Sequence, residues 1–176
     1  MGYAGGAAPD PAYHAIGDHS ETVQIDFDPT VISYEALLDE FLAAHNPTQQ
    51  AFSRQYASLI HYHDEEQRLA AERALADYHQ RTGRPVYTQL VPLGVFTLAE
   101  DYHQKYQLRQ VPELETLFER IYPDYRDLAN STAATRVNAY AGGHLPINGL
   151  AAESEALGLV PEAQEALARA VARWYP

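Results

Sequence analysis

The residues that could do chemistry are few and widely spaced. Glu21 shares its parity with Val23, Ile25 and Phe27, so in an extended segment its carboxyl group points to the same side as three apolar side chains. Burial disfavours the ionised form, and a carboxyl held in that setting keeps its proton and can donate a hydrogen bond or act as a general acid. The alternative is a strand-end carboxylate that bends out to water. Among thirteen tyrosines, Tyr3 and Tyr56 each lie beside a turn or strand, where a phenol either points into a pocket and donates its proton or simply packs. His61 and His63 are two apart, hence on one face if the strand expected there runs that far, and Asp101-Tyr102-His103 could add ligands. No spacing for a third ligand is evident, so histidines that are solvated or locally hydrogen-bonded are the alternative to a metal site. Gly2, Gly5 and Gly6 surround Tyr3, but no strand precedes them and no Lys-Ser or Lys-Thr follows, so they read as a turn and not as a phosphate loop.

These groups need elements to position them. Residues 2–18 are dense in Gly, Pro and Ala and predict irregular loop with one short extended piece at Tyr3. The alternation from Glu21 to Phe27 predicts a half-buried strand that stops at Asp28-Pro29. Ser33 caps a helix with Leu37, Leu38, Phe41 and Leu42 on one stripe, ending before Asn46-Pro47. A second strand is expected over residues 55–62. Asp64 with Gln67 then opens a helix reaching about Gln80, with Gly83 as its left-handed stop. A third strand covers residues 86–91, and the order strand, helix, strand, helix, strand predicts an α+β or α/β layer with helices on one side. Three helices follow, at 112–121, 131–140 and 161–174. The last has Pro161 in its first turn and Ala163, Leu167, Ala170 and Trp174 along one face.

Composition narrows the chemistry. The chain has 176 residues, 46% of them hydrophobic and 20% charged, the balance of a globular protein and not of a disordered or fibrous one. Lys plus Arg number 12 against 24 Asp plus Glu, so the net charge of −12 repels phosphate backbones and argues against a nucleic-acid partner. No apolar run reaches the roughly 20 residues that span a bilayer; residues 90–96, for instance, are interrupted by Pro92 and Gly94. No membrane association and a cytoplasmic location are therefore expected. There is no cysteine, which excludes disulfides, Cys-ligated metals and a thiol nucleophile from these 176 residues.

Several blocks in order along the chain resemble the peptide methionine sulfoxide reductase A family. They are Gly2-Tyr3-Ala4-Gly5-Gly6 with Pro9-Asp10-Pro11-Ala12-Tyr13, His19-Ser20-Glu21, Asp28-Pro29 with Ile32-Ser33-Tyr34-Glu35, and His45-Asn46-Pro47-Thr48-Gln49. Gln55-Tyr56 with Ser58, His63 with Glu65-Glu66-Gln67, and Ala99-Glu100-Asp101-Tyr102-His103-Gln104 continue the series. No block is specific alone; their succession over residues 1–110 is.

The resemblance implies an α+β two-layer sandwich, ferredoxin-like, lacking its first strand and helix, with an incomplete family domain at 1–110 and a helical C-terminal extension at 111–176. It implies reduction of methionine S-sulfoxide, in peptides or as the free amino acid, by a thiol that becomes a sulfenic acid. Tyr3, Glu21 and Tyr56 become the catalytic donors to the sulfoxide oxygen, with Glu21 protonated. The implied partners are methionine sulfoxide and thioredoxin or another thiol reductant, and no cofactor or metal is implied. Two departures stand out. Five positions before Tyr56, near the place of a family aspartate, stands Ala51. The family's nucleophile also lies in a Gly-Cys-Phe-Trp-Gly motif upstream of the Gly2–Gly6 block, so the chain as written is expected to be inactive for lack of the thiol. Either the true start lies upstream of Met1 and restores the motif, which the presence of Tyr3, Glu21 and Tyr56 favours, or this is a non-catalytic truncated paralogue that retains part of the sulfoxide pocket.

Overall fold

The computed structural model describes residues 1–175 and separates into two compact units, one of residues 1–99 and one from Glu100 onward. The first is α+β. Strand β1 (Gly2–Ala4) lies between β2 (Ser20–Thr22) and β5 (Thr97–Leu98), antiparallel to both, with Tyr3 opposite Glu21 on one side and Thr97 on the other. A second sheet pairs β3 (Leu59–Tyr62) with β4 (Gln89–Pro92) in parallel, joined by helix α2 (Glu65–Thr82). Helix α1 (Tyr34–Ala44) precedes this β3–α2–β4 unit. Leu38, Ile60, Ala70 and Ala71 form its buried core, with Phe41, Leu75 and Leu90 packed against them.

Local chemistry places the helix ends. Ser33 Oγ accepts from Ala36 N–H at 3.2 Å, and Asp64 Oδ1 accepts from Gln67 N–H at 2.8 Å while Gln67 Oε1 accepts from His63 N–H at 3.0 Å. Gly83, at φ 66°, ends α2 with its N–H donated to His79 O.

The N-terminal loop is held by side chains in place of regular structure. Asp18 accepts from the N–H groups of Ala7 and Ala8, and those bonds, Ala8 first, hold its carboxyl below the ordinary range. Buried His19 takes up Gly6 N–H and Ala8 O with its two ring nitrogens. This loop brings β1 back beside β2.

The strand expected over residues 21–27 is much shorter. β2 ends at Thr22, and Val23 and Ile25 are 70% and 58% exposed. The reason is pairing: β1 is three residues long, and on the other side of β2 the Glu21 N–H donates to Gln55 O in a loop. Beyond Thr22 no ladder continues among the described residues, so the alternating pattern has no sheet to join.

The second unit is helical: α3 (Tyr106–Arg109), α4 (Pro112–Ile121), α5 (Tyr125–Asn130), α6 (Thr132–Ala141), α7 (Leu150–Ala156) and α8 (Pro161–Ala172). Leu108, Leu114, Phe118, Leu128, Val137, Leu167 and Val171 make its core. Helix α8 ends at Ala172, two residues short of Trp174, whose indole instead covers Gly143 and donates to Ala141 O at 3.0 Å. Gly143 has φ 74°, and a Cβ there would fall 2.5 Å from the indole, so both space and backbone require glycine.

Glu153 of α7 accepts from the Arg136 guanidinium and, at 2.6 Å, from the Tyr140 hydroxyl. Those bonds, Arg136 first, push its carboxyl down to about 2 from an ordinary 4.5. A depressed carboxyl contributes stability that is full above its unfolded value and is lost as pH falls through the folded one. Acidification from about 4.5 to 2 is therefore expected to destabilise this unit, and Glu153→Gln to flatten that part of the profile, as read by helical circular dichroism in denaturant at each pH. Among the described residues no helix is long and apolar enough to cross a membrane.

Candidate functional site

A cavity of about 490 Å³ opens in the first unit, lined by the segment from Glu21 to Ile25, by α1 through Phe41, and by β3 through Ile60 and His61. Its walls are mainly apolar with a small number of polar groups, the usual make-up of a small-molecule site. The exposed Val23 and Ile25 lie on its lining, so the alternation that failed as a strand still contributes an apolar wall.

Glu21 and Tyr56 both line this cavity. Glu21 is the central residue of β2, and Gln55 Nε2 donates to its Oε1 at 2.8 Å while Gln55 O takes its N–H at 3.1 Å. These two bonds to one residue fix both ends of the glutamate and place Tyr56 next along the chain. Tyr56 is half exposed, and its ring centroid lies 5.3 Å from that of Phe52, which is 88% exposed. A phenol so placed can reach a ligand at the cavity mouth and still donate its proton.

Tyr3 is placed differently. It is 1% exposed, sits opposite Glu21 in the β1–β2 register, and is not among the residues lining the cavity. Opposed residues of an antiparallel pair project to the same face, so Tyr3 backs the position of Glu21 from the neighbouring strand. The structure thus brings Glu21 and Tyr56 to one cavity with Tyr3 beside the first.

Histidines complete the wall. His61 and His63 both line the cavity, but β3 ends at Tyr62, so His63 is placed by the bend before α2 and not by strand alternation. Among the described residues no three His, Cys, Asp or Glu side chains gather into a group that could hold a metal ion. His45 is held firmly: its Nδ1 meets Phe41 O at 2.7 Å, its Nε2 meets Ser58 Oγ at 2.8 Å, and Ser58 Oγ in turn meets Thr88 Oγ1 at 2.7 Å. This chain ties the C-terminal cap of α1 to the residues that immediately precede β3 and β4, and was not signalled by spacing, since His45, Ser58 and Thr88 belong to separate segments. His61 has no such partners. Burial first, and then the Arg54 charge, push its imidazole below the ordinary value, so it stays neutral. Ala51 lines a smaller recess of about 200 Å³ with Arg54 and Tyr87.

Chemically, the cavity lining carries the Glu21 carboxyl, the Tyr34 and Tyr56 phenols and the His45, His61 and His63 imidazoles among apolar walls. That set suits a ligand with one strong acceptor oxygen on an apolar body.

Residues 1–136 match the family model described as peptide methionine sulfoxide reductase. The chain is 40% identical over 163 residues to "Peptide methionine sulfoxide reductase" of Drosophila melanogaster, an alignment covering 92% of this chain and 65% of that one. It is 42% identical over 114 residues to "Peptide methionine sulfoxide reductase MsrA" of Sulfolobus acidocaldarius, covering 60% and 65%. It is 38% identical over 152 residues to "Peptide methionine sulfoxide reductase A5" of Arabidopsis thaliana, covering 82% and 59%. The chain therefore spans somewhat under two thirds of the length of these curated relatives.

Proposed function

The chain belongs to the peptide methionine sulfoxide reductase family, and from that premise we propose that its first unit binds methionine S-sulfoxide, free or in a peptide, and holds the oxygen for reduction. The observation that carries this reading is the convergence of Glu21 and Tyr56 on one largely apolar cavity. A sulfoxide has a polar S–O bond between two alkyl groups. Apolar walls take the alkyl groups, and Glu21 and Tyr56 donate hydrogen bonds to the oxygen, with Tyr3 backing Glu21 from β1.

Reduction needs a thiolate. It attacks the sulfoxide sulfur, the donors supply a proton to the oxygen, and the oxygen passes to the thiol as a sulfenic acid while the thioether leaves. A second thiol then condenses with the sulfenic acid to form a disulfide and release water, and a third thiol, as from the dithiol of thioredoxin or another reductant, attacks that disulfide, frees the first thiol and leaves the reductant oxidised as a disulfide. These 176 residues contain no cysteine, so the attacking thiol has to come from outside them. Thiol chemistry of this kind belongs to a reducing compartment such as the cytoplasm. The same zero count favours a second reading, in which the chain recognises methionine sulfoxide without reducing it.

Both readings require binding. Titration of N-acetyl-L-methionine S-sulfoxide methylamide into the 15N-labelled protein is expected to shift the amide signals of Thr22, Ala57 and Ile60 along one saturable curve. Shifts that are absent, or confined to residues from Glu100 onward, would overturn the assignment of this site.

A further inference from the structure

Of the three histidines lining the cavity, His61 is the one whose two ring nitrogens, Nδ1 and Nε2, are both shielded from solvent and unpartnered among the described residues. It lies on β3, with the Cε1 and Nε2 edge of its ring against Gly5. His45, on the same wall, has both nitrogens partnered, and so does His19 in the N-terminal loop. Buried polar groups are rarely left unpaired, because they give up hydration and gain nothing in return. The surroundings hold the ring close. Its Cε1 lies where a Cβ on Gly5 would come within 2.7 Å, and Gly5 has φ 80°, so the bend just after β1 can approach the imidazole this closely only through a glycine. Arg54 donates to Gly5 O at 3.1 Å beside it, and this nearby positive charge adds to burial, the larger cause, in favouring the uncharged imidazole.

A neutral imidazole carries one N–H donor and one acceptor nitrogen. Because no hydrogen bond holds this ring, turning its N–H toward a ligand breaks none. The donor would meet whatever acceptor lies between β3 and the segment that carries Glu21.

We propose that His61 is a further ligand-binding residue of this site, donating its ring N–H to the sulfoxide oxygen from the β3 wall and so distinguishing the oxidised from the reduced methionine side chain. This rests on the sulfoxide-binding reading above. The thioether product has no comparable acceptor, so the contribution of His61 falls on the oxidised ligand alone.

The test uses the 176-residue protein with 15N-labelled histidine and two probes, N-acetyl-L-methionine S-sulfoxide methylamide and its thioether. The sulfoxide is expected to move the His61 ring-nitrogen resonances saturably while the thioether leaves them in place, a readout that needs no substitution. His61→Phe is expected to weaken sulfoxide binding roughly ten-fold with the thioether unaffected, and His61→Asn, which keeps a donor, to recover part of the loss. If His61→Phe binds the sulfoxide as well as the unsubstituted protein while Glu21→Ala does not, the role of His61 is overturned and the sulfoxide site stands. If the unsubstituted protein binds neither probe, the sulfoxide site itself fails and the role of His61 falls with it.

Discussion

Glu21→Ala is expected to weaken binding of a methionine S-sulfoxide peptide roughly ten- to hundred-fold, and Tyr56→Phe about ten-fold, with circular dichroism unchanged. The asymmetry follows from how the two are held. Glu21 is tied to Gln55 through both its side chain and its backbone N–H, so its carboxyl is already in place before ligand arrives. Tyr56 is half exposed at the cavity mouth and loses more freedom when it closes on a ligand. A hydrogen bond from a preorganised group in an apolar cavity is also stronger than one made in water. Isothermal titration of each variant checks this. Two variants that bind like the unsubstituted protein would remove Glu21 and Tyr56 from the site.

Phe118→Ala carries the largest expected effect on stability, a loss of about 3–5 kcal/mol in the helical unit. Phe118 is 2% exposed on α4, its ring stacks on Tyr122 at 6.2 Å between centroids, and it sits in the cluster that joins Leu114, Leu128, Val137 and Leu167. Removing a ring from a close-packed core forfeits its transfer free energy and leaves a cavity that neighbouring helices fill only in part. Ile121→Ala, three residues on and 53% exposed, should cost under about 0.5 kcal/mol and serves as the control. Urea unfolding followed at 222 nm measures both.

How legible these features were in the sequence depended on whether their cause was local. Helix α4 begins and ends where Pro112 and the apolar spacing put it, and α2 starts at the Asp64 and Gln67 pair and stops at Gly83. Helices α3, α5 and α7 have four, six and seven residues, too short for apolar periodicity to register, and α7 starts after Gly149 with no side-chain cap. The segment from Glu21 misled because alternation reports which side chains share a face, whereas a strand also needs a partner, and β1 supplies only three residues. The same alternation did place apolar side chains along the cavity.

For the site, Glu21 stood out because a carboxyl in an apolar register is unusual, and the family resemblance then joined it to Tyr3 and Tyr56. That Tyr3 is buried opposite Glu21, and not on the cavity lining, follows from the β1–β2 pairing across a loop held by Asp18 and His19. The His45, Ser58 and Thr88 chain and the unpaired nitrogens of His61 are tertiary facts. They depend on segments that meet only in the fold, so neither composition nor spacing could signal them.

The central claim is that these residues hold a methionine sulfoxide but lack the thiol that reduces it. The most direct test incubates the 176-residue protein with N-acetyl-L-methionine S-sulfoxide methylamide and excess dithiothreitol, and measures bound ligand by titration and thioether by chromatography. Saturable one-to-one binding with no thioether above the protein-free rate is the predicted result. Protein-dependent thioether, or no saturable binding at all, would contradict it.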